Sequence, residues 1–150
     1  MQWVFIGAGN MASSLIGGLI NNGAQAASVT VIDPNGEACD RVVERFGIKA
    51  ASSFAGLFKL ASDEPLGLVI AVKPHIVEPV CREFASAFGE IDSARQQQLA
   101  PLFVSVAAGV RASSMQAWLP EGTAVIRCMP NTPALLGLGA TGLFATEEVS

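Results

Sequence analysis

The chain has one histidine and three cysteines among its 150 residues. His75 sits beside Pro74 with no second imidazole and no cysteine or carboxylate cluster near it, which removes the usual donor sets for a metal ion. A single histidine also leaves no Ser-His-Asp set to assemble, and His75 reads as a solvated first-turn residue. Cys39, Cys81 and Cys128 form no C-x-x-C pair and are odd in number. They read as free thiols filling core or near-surface space in a reducing compartment. Charge is sparse too: only 15% of residues are charged and the net charge is −4. The scattered Lys and Arg make no basic stripe, which argues against a nucleic-acid partner. No apolar run approaches the ~18 residues that span a bilayer, and no basic segment precedes an apolar one. Neither a membrane segment nor a signal peptide is expected, and the expected location is cytoplasmic. Hydrophobic residues make up 51% of the chain, ample for the core of one domain.

What is present begins at the first residues. Gln2-Trp3-Val4-Phe5-Ile6 is a short apolar run that leads into Gly7-Ala8-Gly9-Asn10-Met11-Ala12, after which a helical pattern opens. This is a G-x-G-x-x-A turn between a strand and a helix, the context in which the pattern signifies dinucleotide binding. Gly7 permits the tight turn. Gly9 lacks a Cβ, so a pyrophosphate can approach the backbone. Ala12 lets the helix pack close to the strand, and the helix N-terminus offers N–H groups and a positive dipole end to the phosphates. Val29 to Ile32 reads as the second strand. Asp33 follows it, 21 positions after Ala12, where a carboxylate accepts hydrogen bonds from the adenosine ribose and repels a 2′-phosphate. Asp33-Pro34-Asn35-Gly36 also reads as a turn, and both readings can hold.

Strand and helix patterns then alternate. Apolar positions at helical spacing run from Met11 to Ile20, and Asn21-Asn22-Gly23 ends that helix. Glu37 to Phe46 is predicted helical, with Glu37 and Arg41 paired on its outer face. Gly47 stops it, Ile48 to Ala50 is a weak strand and Ser53 to Ala61 a short helix. Leu66 to Val72 is a continuous apolar run, as expected for a strand covered on both faces. A helix starts at Pro74 and turns Val77, Val80, Phe84 and Phe88 inward. The polar stretch Asp92 to Ala100 is expected to be a surface loop or helix end. Leu102 to Val106, Ala112 to Leu119 and Thr123 to Cys128 read as strand, helix and strand, and Thr141 to Ala145 as an edge strand. The alternation predicts an α/β fold: a doubly wound, Rossmann-type, mostly parallel sheet with helices on both faces.

Ligands of such sheets sit at the carboxyl ends of the strands. Those ends carry the glycine turn, Asp33, Ala71-Val72-Lys73-Pro74, Val106-Ala107-Ala108-Gly109 and the rigid Pro130-Asn131-Thr132-Pro133 turn. Lys73 at a strand end is expected to contact a ribose. No side-chain set for catalysis stands out, so the chemistry is expected to belong to a nicotinamide.

The segments Phe5 to Ala12 (FIGAGNMA), Ser14 to Ile20 (SLIGGLI), Ala71 to Pro74 (AVKP), Val104 to Val110 (VSVAAGV) and Arg127 to Thr141 (RCMPNTPALLGLGAT) together resemble delta-1-pyrroline-5-carboxylate reductase. They follow that family's order across nearly the whole chain. The resemblance implies an NAD(P)H-dependent oxidoreductase of proline biosynthesis, reducing the cyclic imine of pyrroline-5-carboxylate to L-proline with NADPH or NADH. By resemblance, Ile6, Gly7, Ala8, Gly9, Asn10 and Met11 hold the pyrophosphate. Ala71, Val72, Lys73 and Pro74 lie along the nicotinamide ribose. Val106, Ala107 and Ala108 lie beside the nicotinamide, with Ala108 also bordering the substrate. Asn131 is placed by its position in the loop near that ring. Catalytic residues are not assigned and no metal is implied. The alternatives are a non-catalytic module that senses a dinucleotide, or another oxidoreductase of the 6-phosphogluconate dehydrogenase-like group.

Two departures matter. The family often carries a hydroxyl or amide where Asp33 stands. NADPH is therefore expected to be penalised but not excluded, because its 2′-phosphate can tilt toward Asn35 and the N–H groups of the helix after Gly36. An asparagine is common where Phe54 aligns, so that adenosine contact does not carry over, and neighbouring Ser53 is a substitute. Residues 1–150 read as the dinucleotide-binding domain. Thr146-Glu147-Glu148 reads as a helix start, and the family continues into a helical dimerisation and substrate domain. That domain is expected beyond residue 150, with a homo-oligomer in the full-length protein.

Overall fold

The computed structural model describes residues 1–130 and 141–150. Seven strands form one sheet: β1 (Gln2–Ile6), β2 (Val29–Ile32), β3 (Lys49–Ala51), β4 (Leu66–Ile70), β5 (Leu102–Ser105), β6 (Ala124–Pro130) and β7 (Thr141–Ala145), in the order β3-β2-β1-β4-β5-β6-β7. The pairings are parallel except β6 with β7. The chain starts in the middle of the sheet, winds outward to β3, then crosses back to β4. The strand order therefore reverses between β1 and β4, where open sheets of this kind form a crevice. Among the described residues six α-helices flank the sheet: α1 (Asn10–Asn21), α2 (Gly36–Phe46), α3 (Phe54–Leu60), α4 (Pro74–Gly89), α5 (Ser93–Leu99) and α6 (Ala112–Trp118). None of the helices among the described residues is long and apolar enough to cross a membrane.

Alternation along the strands divides the core into two layers. Val4, Ile6, Leu66, Leu68, Ile70, Phe103 and Val125 face α3, α4 and α6. Phe5, Val29, Val31 and Val69 face α1 and α2. The centre of the first layer is aromatic. Phe84 is completely buried, with Phe54, Phe88 and Phe103 at ring-centroid distances of 5.4, 5.2 and 4.9 Å. Such pairs add about 0.5–1.5 kcal/mol each beyond area burial. In the second layer Trp3 lies over Gly67, its neighbour in register, and a Cβ on Gly67 would come within 2.6 Å of the indole. The glycine inside this strand makes room for the ring. Beyond α1 the same face carries Trp3, Leu15, Leu19, Val104, Val106 and Cys128 around an apolar cleft of about 190 Å³.

Three local expectations are corrected. The polar stretch after residue 92 is a helix of its own, α5. Asp92 caps it by accepting from Arg95 N–H at 3.0 Å, and fully buried Leu99 anchors it. Its polar side chains serve carbonyls that other helix ends leave open. Arg95 donates to Phe58 O at 2.7 Å and Ala61 O at 2.9 Å, and Gln96 donates to Phe88 O at 2.7 Å. Composition suggested solvent; the carbonyls supply an inward use. On α2, Glu37 and Arg41 form no ion pair. The i,i+4 pair among the described residues is Glu78–Arg82 at 2.9 Å in α4. After β7, residues 146–149 make a single turn closed by Val149 N–H to Thr146 O at 3.1 Å.

Arg95→Met is expected to destabilise the fold by about 2 kcal/mol, the scale for losing charge-assisted hydrogen bonds to partly buried acceptors. In a domain of this size that lowers the melting temperature by about 4–8 °C. Thermal unfolding followed by circular dichroism checks it; an unchanged midpoint means water replaces the guanidinium without loss.

Candidate dinucleotide-binding site

The sheet ladder runs one residue past several strand ends and aligns the predicted site residues. Gly7 N–H donates to Ile32 O at 2.8 Å, Ala71 N–H to Ile6 O at 2.9 Å and Val106 N–H to Ile70 O at 3.1 Å. Asp33, Gly7, Ala71 and Val106 therefore stand in a row along the carboxyl edge of β2, β1, β4 and β5, although they are scattered in sequence. Gly7 has φ +108°, and a Cβ there would lie 2.5 Å from Ala71 O. This backbone contact closes the β1–β4 side of the turn and only glycine fits it.

Gly9 is the N-cap of α1 at φ −82°, exposed and without a side-chain cap. The first N–H groups of an α-helix have no intrahelical acceptor. In α2, α3 and α5 a side chain occupies one of them: Asn35 accepts from Ala38, Ser53 from Gly56 and Asp92 from Arg95. In α1, as in α4 and α6, no side chain does so, and the first turn carries no acidic residue. A Cβ on Gly9 would meet no atom within 4 Å. Uncapped N–H groups, a positive dipole end and open space in front of them form a cradle for a phosphate. The residues thus fit a pyrophosphate-bearing cofactor, which Gly9, Asn10 and Met11 would hold.

Next to the turn lies a cavity of about 230 Å³, reached between the tips of β1 and β2 and the first turns of α4. Its walls include Ile32, Phe54, Val72, Ile76 and Val80, and the acids Asp33 and Glu83 also line it. The Asp33 carboxylate is held on both oxygens. Oδ2 accepts from Ala8 N–H at 2.9 Å and Oδ1 from Asn35 N–H at 2.7 Å. Asp33 therefore both lines the cavity and forms the turn, and it ties the end of β2 to the glycine turn.

Residues 2–109 match the model of the family described as NADP oxidoreductase, coenzyme F420-dependent. The chain belongs to this family. Within it, this oxidoreductase-family chain is 42% identical over 146 residues to the pyrroline-5-carboxylate reductase of Pseudomonas aeruginosa, which covers 97% of the chain and 49% of that protein. The Pasteurella multocida reductase is 36% identical over 145 residues, with the same coverages. The chain spans about half the length of the curated relatives it matches. Among solved structures, a pyrroline-5-carboxylate reductase from Coxiella burnetii superposes with a TM-score of 0.83 at 34% identity, covering 99% of this chain and 51% of the other. The Plasmodium falciparum enzyme, solved with NADP bound, gives 0.74 at 20% identity, a likeness of fold.

Several residues of this family member sit apart from their expected roles or were not foreseen. Ser53, the expected substitute for an adenosine contact, spends its hydroxyl on the N-cap of α3 at 3.1 Å; Ser52 is the serine that lines the cavity. Phe54 lines it too, although only 2% exposed. Ile76, Pro79, Val80 and Glu83 form its α4 wall. They recur at i, i+3, i+4 and i+7, while Val77, Cys81, Phe84 and Phe88 face the core. That second stripe on α4 was the available signal. Lys73 and Pro74 are exposed at the start of α4, Ala107 is buried and Ala108 exposed after β5. Asn131 lies outside the described residues. Burial raises the thiol pKa of Cys39, Cys81 and Cys128, that of Cys81 to about 12. All three are thiols at neutral pH, which disfavours a nucleophilic role.

Proposed function

We propose that this chain is the dinucleotide-binding domain of a pyrroline-5-carboxylate reductase, an NAD(P)H-dependent oxidoreductase that reduces the C=N bond of 1-pyrroline-5-carboxylate to L-proline in the cytoplasm. The observation that carries this reading is the uncapped, acid-free start of α1 behind Gly9, beside the row Asp33, Gly7, Ala71 and Val106. The identity of 42% to the Pseudomonas aeruginosa reductase supports the choice of reaction. When bound, a reduced nicotinamide supplies the hydride. The chain's own residues bind and orient it: Ile6 to Met11 at the pyrophosphate, Asp33 at the adenosine ribose, Ala71 to Pro74 along the other ribose, and Val106 to Ala108 at the ring. Ala108 and Asn131 border the substrate in this assignment. A helical domain beyond residue 150 supplies the remaining substrate contacts, the proton for the imine nitrogen and the interface of a homo-oligomer.

The 150-residue chain is therefore expected to bind NADH in a calorimetric titration and to form no measurable proline from pyrroline-5-carboxylate. Turnover comparable to a full-length reductase would refute the division of labour between the two halves. Absence of binding to either dinucleotide would refute the assignment itself.

A further inference from the structure

The two outer strands of the described sheet meet water differently. β3 is three residues long and exposes Lys49; shortness and a lysine both keep a strand edge from pairing with another chain. β7 is five residues long, carries no charge and no proline, and among the described residues pairs with β6 alone. Its outer row of backbone N–H and C=O groups is a template for a further strand. The side chains beside that row are apolar and in water: Leu143 is 71% exposed and Phe144 60%. Leu143 stands opposite Cys128 and shares its face of the sheet, where Cys128 lines the apolar cleft with Val104 and Val106. Phe144 stands opposite Arg127 on the other face. Gly142 lies on that face too, two residues before Phe144. It is exposed, and a Cβ there would meet nothing within 4 Å.

We infer that β7 pairs antiparallel with β7 of a second copy of this chain, about a two-fold axis at Leu143. This surface is separate from the oligomer interface proposed above, which belongs to a domain beyond residue 150. A strand that pairs antiparallel with its own copy meets itself reversed, so residues equidistant from the axis face each other. With Leu143 on the axis, the two Leu143 side chains face each other. Each Phe144 then faces Gly142 of the other copy, and its ring covers the open space beside that glycine. The same sheet already contains this arrangement, with Trp3 lying over Gly67 between β1 and β4. The paired leucines continue the apolar surface of the cleft and take it out of water. No charge enters the paired strands, because Glu147 and Glu148 follow β7 in the sequence. One short strand therefore supplies both halves of the fit. The β3 edge is guarded, so the assembly closes at two copies and does not propagate.

Sedimentation equilibrium of the 150-residue chain over a range of concentrations tests this. Wild type is expected to follow a reversible monomer–dimer equilibrium. Leu143→Lys sets two like charges against each other on the axis and is expected to raise the dissociation constant about tenfold or more. Gly142→Val separates this pairing from a surface that is merely sticky. Valine suits a strand and has room in the monomer, so the edge becomes more apolar and the fold is kept. It also takes the space of the other copy's Phe144 ring, so the dimer is expected to weaken about threefold or more with no loss in melting temperature. Added salt should tighten the wild-type dimer slightly, since each copy carries a net charge of −4 that it screens. A chain that stays monomeric throughout, or forms open-ended aggregates, overturns the inference. So does a dimer that Leu143→Lys leaves within about threefold of wild type, or that Gly142→Val strengthens. NADH affinity, measured beside these, is expected to be the same for wild type and Leu143→Lys, because the glycine turn lies at the end of β1.

Discussion

Replacing Gly9 with valine is expected to abolish dinucleotide binding in a protein that still folds. Gly9 has φ −82°, a backbone conformation open to any residue. A Cβ there meets nothing within 4 Å, so the fold has room for the branched side chain. Valine is a poorer N-cap than glycine, which costs on the order of 1 kcal/mol or less and lowers the melting temperature by about 2–4 °C. The space that the side chain fills is the space in front of the uncapped N–H groups of α1. Phosphate oxygens need to come within about 3 Å of those donors, and an isopropyl group keeps them out. The expected loss is at least a hundredfold in NADH affinity, about 2.7 kcal/mol. Calorimetry beside a far-ultraviolet circular dichroism spectrum checks it. An affinity within threefold of wild type, with an unchanged spectrum, would place the phosphates elsewhere.

Gly7→Ala should do the reverse and damage the fold first. At φ +108° a non-glycine residue is strained whatever the space around it. A Cβ would also sit 2.5 Å from Ala71 O and 3.2 Å from Val72 Cγ1. The first of these is backbone, held in the sheet by the Ala71 N–H bond to Ile6 O at 2.9 Å. It cannot give way without opening the carboxyl end of the β1–β4 ladder. The backbone term alone is about 1–2 kcal/mol, and the displaced ladder brings the expected destabilisation to about 3 kcal/mol or more. That corresponds to a melting temperature lower by roughly 10 °C. Urea unfolding with its midpoint and slope measures it. A loss below 1 kcal/mol would mean that the turn relaxes away from Ala71. The two glycines of one short motif thus separate: one is needed for the ligand's approach, the other for the backbone's.

Much of the architecture was legible because its signals are local. The strand–turn–helix at the start, the β-branched run before Asp33 and the apolar run from Leu66 are each read within a few residues. Gly47, at φ +69°, ends α2 where sequence placed the stop. The failures share a cause. The residues of α5 are polar, and their use as caps for carbonyls of α3 and α4 depends on elements 8 to 37 residues away in sequence. The cavity wall on α4 was missed because the stripe Ile76, Pro79, Val80 and Glu83 carries a proline and an acid, so its apolar character is incomplete. Ser52 and Ser53 are adjacent hydroxyls, and only the start of α3 at Phe54 decides which becomes the cap and which faces the cavity.

By itself the sequence determined that a doubly wound sheet opens with a glycine turn between strand and helix and that an acid closes its second strand. Both follow from residue types within a single βαβ unit, where chain connectivity leaves the geometry little freedom. Only the tertiary structure decided how that acid is used. Asp33 reaches Ala8 across 25 residues because β2 lies beside β1, and it meets Glu83 across one cavity because α4 returns over the tips of the same strands. A hydrogen-bond donor is free or spent according to which neighbour the fold brings to it, and residue type alone does not carry that information.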